Sequence, residues 1–521
     1  MKKFAKLLGF DPVEKQTSVR TELVAGVVTF LAMAYILTVN PNQIFGDVSS
    51  PYWASAFIAT AIGAVIGTLL MAFFAKMPLA QASGMGLNSM LGGIIGGTAG
   101  YAAAFTPGQA FFLVLLSGLI FLALSVIKIK GKTFRELVFD GMPVAIRGAI
   151  SVGIGLFIAY IGFQNAGIIL TNSFTQVGLV DFTNWGTQMV KSGSIWATDN
   201  DGNFIHIVNL TTSLPAAKTA MVALIGLFLI AILDKLKVKG SIIFGILGAT
   251  IVGIPFGVTD LEILTGSKNG ISWKFWESIG NFFTGDNTVF GSFVDVFTGD
   301  GLMPDGVSIF TVIMIIITMC MIDMFDTMGT IVGCCGGNRV LSDENDKPHN
   351  YGKIMMSDAI ATCAGAMIGT STVTTFVESG AGVSAGGRTG LTSFTTACLF
   401  ILAIFAMPIF AVIPSAATAS ALIYVGVLMM KSNFKSIDFS HAINATSAFL
   451  TIAVMVLSYS ITKGIGIGLV SYTVMSIVSY LVELIIASVK KTEKPKWEVS
   501  IIAIVVSILF CIYFFVPATL F

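Results

Sequence analysis

Long apolar runs separated by short polar stretches fill this chain. A membrane-crossing helix needs about 20 apolar residues. Runs approaching that length fall near 22–39, 52–76, 84–98, 110–128, 143–165, 216–234, 240–256, 306–332, 353–369, 378–385, 390–413, 416–430, 441–461 and 464–488, which predicts fourteen spans. Two of these, 84–98 and 378–385, are short and glycine-rich. A further run, 498–516, either crosses the membrane or lies along it. The basic stretches I-K-I-K-G-K-T-F-R (127–135), D-K-L-K-V-K-G (234–240), G-G-N-R (336–339) and V-K-K-T-E-K-P-K (489–496) all fall on one side in this count. The positive-inside tendency makes that side cytoplasmic. Two long polar loops, 169–212 and 257–304, then lie outside and read as ordinary exposed loops.

Composition agrees with the pattern. Of 521 residues, 55% are hydrophobic and 11% charged, against roughly 25% charged in soluble domains. The mean hydropathy is +0.88. The expectation is an all-α polytopic protein of the cell membrane, with the lipid bilayer as its first partner. A net charge of +1 gives no reason to expect a nucleic-acid partner. Cys320, Cys334, Cys335, Cys363, Cys398 and Cys511 match no metal or disulfide spacing and read as small packing residues. His206, His349 and His441 fall in loops or at a span edge, so no histidine metal site is expected. The N-terminal M-K-K-F-A-K-L-L-G-F-D-P has no apolar core of signal-peptide type. It reads as an amphipathic segment on the cytoplasmic face, and the run from Val24 to Val39 as a true span.

The chain also repeats itself. Ile58 to Thr68, I-A-T-A-I-G-A-V-I-G-T, matches Ile360 to Thr370, I-A-T-C-A-G-A-M-I-G-T, at eight of eleven positions. Soon afterwards A-S-G-M-G-L-N (Ala82 to Asn88) matches E-S-G-A-G-V-S (Glu378 to Ser384). K-V-K-G-S-I-I-F-G at 237 more weakly matches S-I-T-K-G-I-G-I-G at 460. Seven spans separate equivalent points, and an odd number turns the second copy upside down. The prediction is an inverted repeat, a frequent architecture in secondary transporters.

Each copy carries a short broken element. T-V-T-T-F-V favours extended chain, and glycines follow it. Extended backbone within a bilayer survives only where protein or a cavity satisfies its polar groups. The two extended pieces are therefore expected to pair at the midplane, with half-helices beginning near Ser83 and near Ser379. Their N-termini would aim free N–H groups at one central place. Glu378 stands at the mouth of the second half-helix, with Ala82 as its counterpart in the first copy. A charge at the bilayer centre costs roughly 3 kcal/mol or more, so Glu378 reads as functional. The bland alternative is a helix cap or an ion pair, for instance with Arg388. Asp323 and Asp326, three apart in M-C-M-I-D-M-F-D-T-M-G-T, share one helix face. Two like charges there predict that at least one holds a proton, as a proton-coupled site requires; solvation at a helix end is the plainer reading. Asp358 and Glu483, nearer span ends, read as meeting water, lipid or basic side chains.

Four stretches carry a family resemblance: R-T-E-L-V-A-G-V-V-T-F-L-A-M-A-Y-I-L-T-V-N-P, A-S-G-M-G-L-N, F-D-T-M-G-T and V-E-S-G-A-G-V-S-A-G-G-R-T-G-L-T. They resemble the AzgA-like hypoxanthine–adenine–guanine permeases of the wider nucleobase–ascorbate transporter family, which includes the bacterial uracil permeases. The resemblance covers nearly the whole chain. It implies two inverted seven-span repeats, with short strands before spans three and ten. Residues 1–130 (spans one to four) and 305–413 (eight to eleven) would form a core. Residues 131–257 (five to seven) and 414–490 (twelve to fourteen) would form a gate, with 491–521 a C-terminal apolar segment. It implies proton symport of adenine, guanine or hypoxanthine without a cofactor, and homodimers are common in the wider family. The base would bind between core and gate. Substrate-contacting carboxylates map to Asp326, with Asp323 one turn earlier, and to Glu378; all three are also the proton-coupling candidates. Asn88 maps to a polar position on span three. Ser83, Ser379 and Gly380 fall at the half-helix starts, and Ala34 and Phe376 help to close the pocket. Uracil and xanthine relatives usually place glutamate on span eight; here it is aspartate, as in the AzgA-like branch.

The chemistry is coherent in itself. A purine is flat, neutral and edged with donors and acceptors. A carboxylate accepts from its N–H groups, an Asn amide donates and accepts, and aromatic faces stack on the ring. Two rivals fit less well. An intramembrane aspartyl protease needs carboxylates facing each other from separate helices, whereas Asp323 and Asp326 share one helix and no G-x-G-D occurs. A carrier of anions on the same architecture would want a basic residue where this chain has a glutamate. Another nucleobase, uracil or xanthine, remains an alternative cargo.

Overall fold

In the computed structural model, the described residues run from 10 to 515, except 11–15, 47, 49, 96–104, 130–131, 134–140, 173–175, 187, 199–203, 215, 239, 265–270, 272, 285–287, 300, 305–306, 336–339, 343–347, 435–436, 459, 491–492, 494 and 498. Most of the expected N-terminal amphipathic segment, the G-G-N-R stretch, and parts of the basic stretches at 127–135, 234–240 and 489–496 lie outside them.

Every apolar run read from the sequence falls on a helix. The first half contains α1 (Val19–Met33), α2 (Ile36–Phe45), α3 (Trp53–Leu70), α4 (Met85–Ile95), α5 (Pro107–Val126), α6 (Val144–Asn165), α7 (Ala216–Lys235) and α8 (Ser241–Gly253). Two amphipathic helices follow, α9 (Phe275–Thr284) and α10 (Val289–Thr298). The second half contains α11 (Ile309–Cys335), α12 (Tyr351–Ile368), α13 (Ser379–Ser384), α14 (Gly390–Phe405), α15 (Met407–Ala411), α16 (Ser415–Asn433), α17 (Ala442–Leu457), α18 (Ile461–Lys490) and α19 (Ile501–Phe515). Among the described residues, six helices are long and apolar enough to cross a membrane by length and composition, and seven more are apolar but shorter.

The run expected at 22–39 lies within one apolar span, Val19–Phe45, whose helix is distorted in the middle. Between α1 and α2, Leu37 and Thr38 donate backbone bonds only three residues back, to Ala34 and Tyr35, the tighter turn that marks a local change of helix type. Pro41 within α2 adds to this by lacking an N–H. The expected plain loops also hold structure. Hairpins pair β2 (Ile169–Asn172) with β3 (Gln176–Leu179), and β4 (Gln188–Thr198) with β5 (Phe204–Leu214). Alternating β-branched residues and polar neighbours suit such strands, a local signal that the overall polarity of 169–212 obscured.

Helices sort by what they touch. Helices α1 and α3 both pack on α14, α12 packs on α3 and α5, and α5 packs on α11 and α10. Separately, α6 packs on α16 and α17, α7 on α8 and α16, and α18 on α17 and α19. Glycines set the closest approaches. A Cβ at Gly426 would stand 2.4 Å from the Gly155 carbonyl, so α16 and α6 meet backbone to backbone there.

Candidate functional site

Two three-residue strands form the centre. Strand β1 (Gln81–Ser83) pairs antiparallel with β6 (Val373–Thr375) in the register Gln81↔Thr375, Ala82↔Thr374 and Ser83↔Val373. The pairing extends beyond the strands, with Gly84 N–H donating to the Thr372 carbonyl (2.9 Å) and Phe376 N–H to that of Ala80 (3.0 Å). Antiparallel strands, each followed by a helix, are what inverted copies require. All six strand residues are fully buried.

The repeated motif builds the cradle. Thr68 Oγ1 donates to the Gln81 carbonyl (3.1 Å) and accepts from Gln81 N–H (3.0 Å). Its sequence counterpart Thr370 shares a 2.5 Å hydrogen bond with Ser83 Oγ and accepts from Asn40 Nδ2 at 2.9 Å. Thr60 accepts from Asn40 Nδ2 at 2.6 Å, while its counterpart Thr362 donates to Asp323 Oδ2 at 3.1 Å. Asn40 on α2 and Asp323 on α11 thus hold equivalent posts in the two halves. Glycines make room for the strands: a Cβ on Gly67 would lie 2.7 Å from Gln81 Oε1, and one on Gly365 2.6 Å from Val373 Cγ2. The two Thr68 bonds supply partners that the buried Gln81 backbone would otherwise lack, and the others pair buried side chains.

Beside the strands lies a small cavity, about 570 Å³ when the open space at its mouth is counted. Gly84, Met85, Phe376, Glu378, Asp326 and Thr330 line one side of it. Ser151 and Ile158 of α6, with Val425 and Met429 of α16, line the other. Glu378 is 6% exposed. The Tyr35 hydroxyl, at the α1–α2 break, donates to its Oε1 at 2.5 Å. Glu378 Oε2 is buried and takes no hydrogen bond from the protein. A buried acceptor in that state awaits a donor.

A wider hollow of about 2390 Å³, including open space, shares Val377 and Glu378 with the cavity. Ala32, Gly380, Lys237, Arg388 and Lys431 are among its lining residues. Val377 and Glu378 therefore stand between the cavity and the hollow that carries these basic groups.

Several sequence expectations need correction. Asp326 and Glu378 meet at the cavity, but Asp323 does not line it; it is 1% exposed and accepts from Thr362. Three residues put both aspartates on nearby but distinct sectors of α11, and the packed neighbours differ. Asn88, fully buried, accepts from Ser371 Oγ and does not reach the cavity lining. Ser83 and Ser379 are framework: Ser379 Oγ accepts from Ala80 N–H at 3.0 Å. Ala34 is buried at the α1 end, one residue from Tyr35. Phe376 lines the cavity, and Gly380 lines the hollow. Ala82 is no counterpart of Glu378 in space, because it sits inside β1 opposite Thr374. Asp358 meets neither water nor lipid. It is 0% exposed, accepting from Gln81 Nε2 (3.0 Å) and Thr327 Oγ1 (2.7 Å). Glu483 is exposed, as expected.

Neither bland reading of Glu378 holds, since its side chain makes no cap hydrogen bond. Arg388 instead donates from Nη1 to the carbonyls of Val383 (2.5 Å) and Gly387 (2.7 Å). Glu22, fully buried, accepts from the Arg388 and Thr389 N–H groups and the Thr392 hydroxyl, tying α1 to the start of α14. Sequence reasoning missed Tyr35, whose signal was a lone phenol inside an apolar run beside Ala34. Ser151 and Met429 carried no signal at all.

The fold is that of a membrane-embedded transporter. The transmembrane domain of a cyanobacterium bicarbonate transporter, BicA, superposes with a TM-score of 0.55 at 16% identity, covering 85% of this chain and 97% of that one. A model of the Permease family matches residues 186–467. The adenine permease AdeP of Escherichia coli is 32% identical over 89% of this chain and 88% of its own length. The guanine/hypoxanthine permease PbuO of Bacillus subtilis is 31% identical over 97% of this chain and 100% of its own. The chain belongs to the Permease family and is a transporter, not an enzyme.

Proposed function

We propose that this permease carries purine nucleobases (adenine, guanine or hypoxanthine) into the cell by proton symport across the plasma membrane. The observation that carries the reading is the cavity holding Asp326 and Glu378, with Glu378 Oε2 buried and open to a donor. Relatives named as adenine and guanine/hypoxanthine permeases support the cargo. No basic residue is among the cavity's described lining residues, which speaks against an anion as cargo.

A purine edge bearing N–H groups donates to Glu378, and Asp326 supplies a second acceptor. Phe376 and Met85 offer apolar faces to the ring. A proton taken from outside by one carboxylate offsets the cost of two buried charges and readies the site. Helices α1–α5 and α11–α15 act as the core, and α6–α8 with α16–α18 as the gate, so the base sits where the two bodies face each other. The hollow lined by Lys237, Arg388 and Lys431 is the cytoplasmic exit, which makes this the inward-open form with a cytoplasmic N-terminus. Movement of core against gate exposes the site to the other side.

Labelled hypoxanthine uptake, competed by a panel of bases, tests the cargo. Uptake repeated with a proton ionophore tests the coupling. Inhibition by adenine and guanine but not by sulfate, and collapse on adding ionophore, are expected. Uptake that follows a sodium gradient and ignores the proton gradient refutes the symport.

A further inference from the structure

A third hollow lies at the far end of the same interface. It encloses about 1200 Å³ including its opening, and Asn42, Gln164, Asn165, Thr219, Ser415 and Ile413 are among its lining residues. Its place follows from helices that also line the other two hollows. Along α1 and α2 the order is Ala32 at the cytoplasmic hollow, Tyr35 bonded to Glu378, then Asn42 at this one. Along α6, Ile158 lines the central cavity and Asn165 this hollow. Along α16, Ser415 lines this hollow, Val425 the central cavity and Lys431 the cytoplasmic one.

At 1.5 Å rise per residue, the seven residues from Tyr35 to Asn42 span about 10 Å, and the ten from Ser415 to Val425 about 15 Å. Between them Leu37, Ile161 and Leu422 are buried, and Thr38 Oγ1 donates to the Phe410 carbonyl at 3.4 Å. That layer is a closed outer barrier. The lining above it is amide-rich. Asn42 Oδ1 accepts from Trp53 Nε1 at 2.6 Å, which orients its amide and leaves the NH₂ to donate. Gln164 and Asn165 amides both donate and accept, and Ile413 and Val412 offer flat apolar contact.

We propose that this hollow is an outer holding site for the transported base, occupied before the barrier opens and independent of the central carboxylates. The proposal rests on the reading of the chain as a nucleobase permease. The lining amides, with the carboxylate of Asp260 as a further acceptor, suit a planar ring with mixed donors and acceptors.

The test is thiol protection in intact cells. Ser415→Cys is labelled from outside with a charged, impermeant maleimide, and the unsubstituted chain gives the background. Adenine at twice its dissociation constant for the hollow slows labelling about threefold. The same protection is expected in a Glu378→Gln background, and its loss is expected with Gln164→Leu and Asn165→Leu together. Thr219→Cys serves as the reporter where Ser415→Cys is inactive. Three results each overturn the proposal: no protection by adenine, guanine or hypoxanthine in a chain that still transports; protection that disappears with Glu378→Gln; protection that survives the double substitution. A chain that transports no base at all sinks the permease reading itself and is recognised separately by uptake.

Discussion

In the first half of the chain a single residue, Gly84, joins strand β1 to helix α4. In the second half three residues, Phe376, Val377 and Glu378, join β6 to α13. All four line the central cavity. The strands themselves are near-equivalent, held by matching threonines from the repeated motif. The junctions are not: one offers bare backbone, the other an aromatic ring and a carboxylate. Duplication thus builds a symmetric frame of paired strands, and an unequal linker places an acidic group, Glu378, at the cavity beside Asp326.

This contrast can be broken most forcefully at Glu378. Glu378→Gln keeps the shape and removes the charge; base uptake should fall roughly 10- to 100-fold, in line with about 1.5–3 kcal/mol for a hydrogen bond to a charged group. Uptake and pH dependence close to the parent would refute the junction's role. The two aspartates of α11 sharpen the same contrast between site and frame. Asp326→Asn should lower uptake about tenfold with the protein still folded, as expected when a charge-assisted bond is lost. Asp323→Asn keeps an acceptor for Thr362 and should stay within about fivefold, since a neutral hydrogen bond contributes only about 1 kcal/mol. The reverse ranking, measured by uptake normalised to folded protein, would show that the cavity carboxylate is misassigned.

The frame can be attacked separately. A Cβ at Gly365 would stand 2.6 Å from Val373 Cγ2, whereas one at Gly280 meets nothing within 4 Å. Gly365→Ala should cost about 1–3 kcal/mol through overcrowding, read as a lower Tm in detergent. Gly280→Ala should leave Tm unchanged or slightly raised. Equal effects would mean that the strand pair does not depend on that close approach. A more modest change than at Glu378 itself is expected for Tyr35→Phe, which removes the 2.5 Å bond to Glu378 Oε1. A loss of about 1–1.5 kcal/mol corresponds to a several-fold rise in the half-saturation concentration. No change would mean that the hydroxyl is replaced by water.

Much of this arrangement was readable from residue order. The apolar runs marked the long helices, because burial in lipid demands continuous hydrophobicity, but not α9 and α10 within the stretch read as a plain loop. The eight-of-eleven match and the T-V-T-T-F-V stretch pointed to a duplicated, strand-paired centre, because extended backbone in a bilayer has few other ways to satisfy itself. Glu378 and Asp326 stood out because unpaired acidic groups are rare in apolar surroundings. Asn88, Ser83 and Ser379 were equally conspicuous as polar residues, yet they hold the frame. A polar side chain in a span signals that it has a partner, not whether the partner is protein or ligand.

By itself, then, the order of residues marked the long apolar segments, the repeated motif in the two halves, and three carboxylates worth watching, Asp323, Asp326 and Glu378. Only the tertiary structure decided that Asp326 faces the cavity while Asp323 anchors Thr362, that Tyr35 holds Glu378, and that α6 and α16 supply the opposite wall. The reason is physical. Helix and strand formation depend on neighbours a few residues apart, but a cavity is the space left where helices distant in sequence pack, and its walls depend on rotations and close approaches that no local pattern encodes.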